Sequence, residues 1–327
     1  MNVLYILGNG FDKAQGMATG YPEFYKYLSE NIKDGSVLLR KMKSAITEDT
    51  ELWSDMESGL GEFTSATDNA VEFDNFYFEL SEHLQNYLKK ENEKFVPSEK
   101  LKNKFQSDFT TVSKYLGALD KTRFDGFLGT VSTSTKDINV ITLNYTNTLE
   151  KILGLSPNIT TKWFGGNTNL RNIIHVHGQL GESIIIGVDH PGQIGNDEFR
   201  RNEDIKDIMI KIESNESMKE TRHMECERLI ANANVIVLFG VSLGETDARW
   251  WKLIGQHLKR RRDLAIIQHL YNPGAINPIQ RQKIRQLERK QQKYLLQRME
   301  VKMEIGDVDI RDRLFFTVNE PIFKILP

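Results

Sequence analysis

The sequence has little cysteine and no long apolar run. Cys226 is the single cysteine among 327 residues, which excludes an internal disulfide framework and a zinc site built from several cysteines. The longest apolar run, VIVLF, is far too short to cross a bilayer. The opening MNVLYILGNG lacks the basic region and cleavage site of a signal peptide. We therefore expect a cytoplasmic protein with no membrane partner and no metal site.

Charge is unevenly distributed, although the formal net charge is only -2. Residues 48–82, the acidic segment, carry eleven Asp or Glu and no Lys or Arg. Residues 257–298, the basic segment, carry eleven Lys or Arg and two acids. The basic segment could bind nucleic acid, but a solvated helix face or a surface that meets the acidic segment is the favoured interpretation. No carboxylate set typical of a nuclease accompanies it, so a nucleic-acid-processing effector is a less favoured alternative.

Six short apolar runs predict the strands of a parallel sheet. Most are continuously apolar, as central parallel strands are because helices cover both of their faces. Helices at 247–258 and about 279–297 follow the last two runs, and this alternation is typical of a right-handed parallel α/β sheet. The predicted strands are 2–7, 138–143, 172–176, 183–188, 234–239 and 264–270.

Residues 17–132 show helical periodicity instead. Apolar side chains recur every three or four positions there, as at Phe73, Phe76, Tyr77 and Leu80. The sequence therefore predicts an α/β domain formed by residues 1–16 and 133–327, with residues 17–132 as a large helical insertion after the first strand.

Ligands bind beyond the carboxyl ends of the strands in an open α/β sheet, so the loops after the strands carry the candidate residues. The first loop, GNGFD, contributes Gly8, Asn9, Gly10, Phe11 and Asp12. Its glycines permit a tight turn and close backbone approach, and the following helix would offer free N–H groups to an anion. The last glycine of G-x-G-x-x-G is missing, so a plain glycine turn whose aspartate caps the helix is the alternative.

The second and third loops, TLNYTNTLE and HVHGQL, carry Asn144, Tyr145, His175 and His177. An asparagine there can hold a hydroxyl or a water, and a histidine can act as a base near neutral pH. A turn asparagine and a hydrogen-bonded core histidine are the alternatives. The two histidines should share one strand face, and a metal site that also uses the VDHPG stretch is a less favoured alternative.

The fourth loop, GVSLGETD, lies between a predicted strand and a helix and contributes Gly240, Ser242 and Asp247. It contains G-x-S-x-G, the nucleophile-elbow pattern of serine hydrolases. The acid and histidine available downstream, Asp263 and His269, are only six residues apart and flank one predicted strand. This leaves little room for the geometry of a catalytic triad. We favour a small-residue loop that binds a phosphate or a sugar.

Taken together, these loops resemble those of the AbiH family of bacterial phage abortive-infection proteins. The resemblance spans nearly the whole chain, in the order of the family. It is carried by LGNGFDKAQGMATGYPEF, WSDMESGLGEF, TLNYTNTLE, HVHG and GVSLGETD.

More distantly, the chain is similar to the sirtuin-type NAD-binding fold, whose opening G-x-G…G-I-P-D-F is echoed here by the first loop and YPEF. This resemblance implies a Rossmann-like, sirtuin-like sheet in which Asn144 and His177 carry NAD cleavage and Gly240 and Ser242 hold the dinucleotide. Thr146 stands where sirtuin-type enzymes usually have an aspartate that holds the nicotinamide amide, and the sirtuin zinc ribbon is absent from the sequence.

The resemblances imply a phage-defence protein that binds NAD, as substrate or ligand, and acts as an NAD glycohydrolase without a metal. A nucleotide-sensing module that binds without cleaving is the main alternative, and Thr146 favours it. A phage-derived trigger and a homo-oligomer are further expectations.

Overall fold

The computed structural model describes residues 1–131, 133–156, 160–272, 274, 281–302 and 308–324. Within them, seven strands form one sheet in the order β3-β4-β2-β1-β5-β6-β7. All neighbouring strands are parallel except the short β3, which is antiparallel to β4. The strands are β1 Asn2–Leu7, β2 Lys136–Thr142, β3 Lys162–Trp163, β4 Thr168–His175, β5 Val235–Phe239, β6 Ala265–Leu270 and β7 Leu314–Val318.

The six parallel strands follow the order of a Rossmann fold, which confirms the predicted fold class. Seven of the described helices lie between β1 and β2. The helices are α1 Gly10–Ala14, α2 Tyr21–Asn31, α3 Val37–Glu48, α4 Met56–Phe63, α5 Ala70–Lys94, α6 Glu99–Thr110, α7 Ala118–Val131, α8 Thr148–Leu153, α9 Glu203–Met209, α10 Lys211–Ser217, α11 Arg222–Asn232, α12 Ala248–Arg260, α13 Arg281–Arg298 and α14 Val308–Asp312.

The sheet is buried on both faces because its strands alternate side chains between two cores. In β1, Leu4 and Ile6 pack against α11, α12 and α13, whereas Tyr5 faces the opposite core. There it stacks on Phe109 of α6, with ring centroids 4.5 Å apart. Helices α6 and α7 therefore cover one face of the sheet, although they lie within residues 17–132.

A third core joins helices α2 to α5 with the chain between residues 184 and 210. The predicted strand 183–188 lies in it and is wrong: the structure has only an isolated bridge there, Val188 with Ile210. The backbone N–H of Ile186 donates to the Tyr77 hydroxyl and not to a neighbouring strand. The apolar run therefore reflects burial under the helices, since a strand and a buried irregular segment share that composition.

The other five predicted strands are confirmed: β1 has the predicted bounds, and the ends of the others are shifted by at most four residues. The predicted helix after β5 is confirmed as α12, and the one after β6 as α13, whose predicted first residues lie outside the described ranges. Within the described ranges, no helix combines the length and apolarity that a membrane crossing requires.

The basic segment does not pair with the acidic segment in the part of the chain that the structure describes. Its arginines pair with other carboxylates: Arg261 with Asp263, Arg285 with Glu288 and Arg298 with Glu245. Much of α13 is exposed, so the solvated helix face is the better description of this segment.

Glycine is required where the loops after β1 and β5 touch. Gly240 has φ +68°, and a Cβ on it would lie 2.5 Å from the Phe11 backbone N. A Cβ on Gly10 would lie 2.5 Å from the Gly240 Cα. These glycines let two backbones meet at the carboxyl edge of the sheet.

We expect Gly240→Ala to lower the free energy of unfolding by about 2 kcal/mol or more, because it adds a backbone clash to a left-handed conformation. Gly154→Ala is the matched control: Gly154 has φ +64° and open space around its Cα. It should cost only about 1 kcal/mol. Equal losses for the two variants in urea unfolding would show that the loop contact adds nothing.

Candidate functional site

A cavity of about 520 Å³ opens at the carboxyl ends of β1, β2, β4 and β5. Strand β1 lies at the point where the strand order reverses, which is where open α/β sheets bind ligands. The helices between β1 and β2 close the other side, with Tyr21, Asp55, Glu57 and Leu84 among the lining residues. The cavity therefore lies between the sheet and the inserted helices.

Ten of the candidate residues named from the sequence line this cavity, and His175 lies beneath it. Phe11 does not line the cavity: it packs edge-on against Phe105 and Phe239 in the core below the sheet. The residues that the structure brings together are Gly8, Asn9, Gly10, Asp12, Asn144, Tyr145, His177, Gly240, Ser242 and Asp247.

Three backbone N–H groups of the glycine loop donate within the protein and are not free for a ligand. The N–H of Gly8 donates to the Phe239 carbonyl at 3.0 Å, and that of Gly10 donates to the Gly240 carbonyl at 2.9 Å. The Phe11 N–H turns back to the Gly8 carbonyl at 2.8 Å. Two of these hydrogen bonds join the loop to Phe239 and Gly240 at the end of β5, which the small glycines allow it to approach.

His177 is held by a carboxylate. Its Nε2 lies 2.9 Å from Asp247 Oδ1, and both side chains are largely buried. Burial opposes ionisation of Asp247, but Lys211 and His177 lower its pKa below the ordinary range. A carboxylate only accepts hydrogen bonds, so Nε2 carries the proton and Nδ1 presents a lone pair.

The Nδ1 atom of His177 is buried and has no hydrogen-bond partner among the described residues. Burial and the charge of Lys211 lower the pKa of His177 below 6.5, so the ring is neutral at pH 7. A neutral imidazole oriented by an aspartate, with its second nitrogen unpaired, is the arrangement of a general base.

Asp247 is itself anchored by a buried lysine. Lys211 Nζ, on α10, lies 2.9 Å from Asp247 Oδ1, 2.8 Å from Glu57 Oε2 and 2.9 Å from the Thr246 carbonyl. Burial opposes the charge of Lys211, but the two carboxylates raise its pKa. Burial raises the pKa of Glu57 to about 8, while the charge of Lys211 opposes that rise. Glu57 joins the helix α4 to this chain of contacts.

We expect Lys211→Met to lower the free energy of unfolding by about 3–5 kcal/mol, because it leaves buried carboxyl groups without their ammonium. Lys206→Met, on the neighbouring α9, removes a lysine whose partner Glu203 is exposed, and should lower the free energy of unfolding far less. Chemical denaturation at pH 7 measures both. Similar values for the two variants would contradict the anchoring of Asp247 by Lys211.

Asp12 is a buried carboxyl group at the cavity wall. Its Oδ2 accepts the Thr146 hydroxyl at 2.6 Å, and its Oδ1 has no partner within the described ranges. Burial raises the pKa of Asp12 to about 6, while the hydroxyls of Thr146 and Thr148 and the Asn144 amide oppose that rise. Asp12 is thus mainly a carboxylate at pH 7 and becomes protonated as the pH falls through about 6.

Asn144 is positioned from beneath by His175. His175 Nδ1 lies 2.9 Å from the Asn144 carbonyl, and its Nε2 lies 2.9 Å from Glu150 Oε1. Burial opposes its protonation, but Glu150 raises the pKa of His175, and both of its partners are acceptor oxygens. The Asn144 Oδ1 is buried and unpaired among the described residues. His175 and His177 therefore serve different partners.

Among the described residues, the acid and the histidine that the serine-hydrolase alternative requires have other partners. His269 Nδ1 lies 2.6 Å from the Thr317 hydroxyl, and Asp263 pairs with Arg261. In the G-x-S-x-G stretch, the non-glycine residue with positive φ is Leu243, at 58°, and Ser242 is exposed. A nucleophile elbow places its serine on the strained turn.

The metal alternative is likewise unsupported by the geometry. Asp189 Oδ2 accepts the backbone N–H of Arg249, and His190 Nδ1 accepts that of Gly192. Over the described ranges, no three His, Cys, Asp or Glu side chains gather as metal ligands would.

Lys211, Glu57 and Asp55 are site residues that the motifs did not single out. Glu57 and Asp55 lie inside WSDMESGLGEF, one of the stretches that carries the family resemblance, so a signal was present. Lys211 lies in the charged stretch KIESNE and has no sequence signal that separates it from a surface lysine.

The sequence model of the family described as bacteriophage abortive infection AbiH matches residues 4–268. This range includes the four loops, helix α4 and Lys211. No curated protein matches the chain.

Proposed function

The chain belongs to the bacteriophage abortive infection AbiH family. We propose that this phage-defence protein binds NAD or a related nucleotide in the cytoplasm and hydrolyses its N-glycosidic bond. One observation carries the proposal: Asp12 Oδ1, Asn144 Oδ1 and His177 Nδ1 are buried without partners among the described residues, and their side chains line one cavity. Buried polar atoms are otherwise nearly always paired, so three such atoms mark a place for a ligand.

The reaction needs help at the sugar. As the bond between C1′ and the ring nitrogen breaks, the bonding electron pair moves to the nitrogen and the cationic ring leaves as a neutral base. C1′ gains oxocarbenium character, and water adds to it. His177 Nδ1 accepts a proton from that water, and the proton then passes to solvent. The enzyme supplies the base and a negative environment for the developing cation.

Asp12 supplies that negative environment. The sirtuin-type resemblance places an aspartate at position 146, where this chain has Thr146. The Asp12 carboxylate reaches this position from the first loop, 2.6 Å from the Thr146 hydroxyl. Asn144 Oδ1 is a free acceptor for a ribose hydroxyl or the attacking water. Asp12 thus supplies a carboxylate beside position 146, where this chain has threonine instead of aspartate.

Nucleotide sensing without cleavage is the second candidate. Residues of the inserted helices and of the strand loops line the same cavity, and Asp55 Oδ2 accepts the Thr246 hydroxyl at 3.3 Å across it. A ligand bound between them contacts both parts of the chain and favours one relative position. This arrangement suits a sensor as well as an enzyme.

Incubation of the purified protein with NAD, with and without lysate from phage-infected cells, separates the two candidates. The hydrolase releases nicotinamide in at least one of these conditions, and Asn144→Ala loses the release while keeping its circular dichroism spectrum. If NAD binds but stays intact in both conditions, the hydrolase is rejected and the sensor is supported.

The rate of nicotinamide release should fall as the pH falls through about 6. Above that pH Asp12, whose pKa burial raises to about 6, is the carboxylate that stabilises the developing cation. Below it the group is neutral, whereas the lowered pKa of His177 keeps the base competent to lower pH. The measurement is kcat from pH 5 to 8; a rate that stays flat across pH 6 would remove Asp12 from this role.

A further inference from the structure

We infer that the cavity admits only the cationic ring and the ribose of its substrate and excludes phosphate, so that a pyridinium N-riboside without phosphates is the minimal substrate. This inference rests on the proposed hydrolysis and specifies its substrate class. The phosphates of a dinucleotide such as NAD would remain outside the cavity wall.

The acidic lining is the first reason. Four lining residues carry carboxyl groups, namely Asp12, Asp55, Glu57 and Asp247. Within the described part of the chain, no lysine or arginine lines the cavity. The nearest buried ammonium, that of Lys211, already contacts two carboxyl groups and a carbonyl. A phosphate would therefore meet like charges at low dielectric without a free cation to offset them.

The neutral donors are the second reason. Phosphate sites on Rossmann folds use the backbone N–H groups of the glycine loop. Here the N–H groups of Gly8, Gly10 and Phe11 donate to carbonyls of the protein. The Asn9 amide is also occupied: its Nδ2 donates to the Thr19 carbonyl at 3.1 Å, and its Oδ1 accepts the Thr19 hydroxyl at 2.5 Å. Three backbone N–H groups and the Asn9 amide of this loop are therefore already used within the protein.

A cation fits the same cavity. The pyridinium ring of an oxidised nicotinamide riboside and the oxocarbenium centre formed from it are both positive, and the carboxylates of Asp12 and Asp55 attract positive charge. Tyr21 and Tyr145 also line the cavity, and aromatic faces attract cations. Charge selection would then separate oxidised from reduced nicotinamide without any contact to phosphate.

Steady-state nicotinamide release from nicotinamide riboside, nicotinamide mononucleotide and NAD tests the inference. The riboside should have a kcat/KM at least equal to that of NAD and about tenfold or more above that of the mononucleotide, whose phosphate monoester carries nearly two negative charges. A kcat/KM for NAD about tenfold or more above that of the riboside would overturn the inference, and so would a kcat/KM for the mononucleotide that equals or exceeds that of the riboside.

If none of the three compounds is cleaved, the proposed hydrolysis fails, and calorimetric binding decides the charge inference alone. The riboside must then bind more tightly than ADP-ribose, and the reverse order overturns it. Asp55→Asn keeps the oxygen that accepts the Glu57 N–H but removes one charge from the wall. It should weaken riboside binding by about three- to tenfold. Asp125→Asn, on the exposed side of α7, is the matched control and should change nothing.

Discussion

Replacing His177 by alanine is expected to lower the rate of nicotinamide release from NAD by about 10²- to 10⁴-fold, the contribution usual for a positioned general base. The Asp247 carboxylate stays paired with Lys211 in this variant, so no buried charge is abandoned. The fold should persist, as judged by circular dichroism and thermal unfolding.

His177→Gln sharpens this test. Glutamine keeps a side-chain N–H donor for Asp247 but has no basic nitrogen, so it should be as slow as alanine. His83→Ala, a change in α5 away from the cavity, is the control and should retain the wild-type rate. A His177→Gln enzyme with more than about a tenth of the wild-type rate would show that Nδ1 is not the base.

Asp12→Asn should both stabilise the protein and inactivate it. The pKa of Asp12 is about 6 in the fold against an ordinary 3.8, so the folded state binds its proton more tightly than the unfolded state. At pH 7 the group is ionised in both states and its burial costs about 3 kcal/mol, a cost that the neutral asparagine avoids. The free energy of unfolding should therefore rise by about 1–3 kcal/mol at pH 7.

The pH dependence identifies the cause. The buried charge of Asp12 lowers the free energy of unfolding progressively as the pH rises from about 4 to about 6. Below pH 4 the carboxyl is protonated in both the folded and the unfolded state, so Asp12→Asn should no longer raise the free energy of unfolding there. Nicotinamide release should fall at least about tenfold, because the developing cation loses its carboxylate. A destabilised variant, or a gain that persists at pH 3.5, would mean that Asp12 is not a charged group held against its burial.

The central strands could be predicted because burial on both faces leaves a clear pattern. Every residue of β1 from Val3 to Leu7 is buried, and the sequence shows this as an uninterrupted apolar run that stops at Gly8. The apolar run at 183–188 has the same composition but packs under α5, with the Tyr77 hydroxyl as one of its hydrogen-bond partners. Composition reports burial, whereas strand pairing depends on distant neighbours.

The candidate site divides in the same way. Loops at strand ends were predictable, since parallel strands bring their carboxyl ends to one edge, and Gly10, Asn144, His177 and Ser242 all line one cavity. Two couplings were beyond prediction: Asp12 with Thr146, which are 134 residues apart, and Glu57 with Lys211, which are 154 residues apart. Such pairs have no local spacing to detect, because only the packing of the inserted helices on the sheet brings them together.

Product analysis in ¹⁸O-labelled water is the most direct test of hydrolysis at this cavity. Purified protein given NAD should form nicotinamide and ADP-ribose in equal amounts, with one ¹⁸O atom on the C1′ hydroxyl of the ADP-ribose and none in the nicotinamide. NAD that binds the protein yet is recovered unchanged, or ADP-ribose that carries no label, would contradict hydrolysis at this cavity.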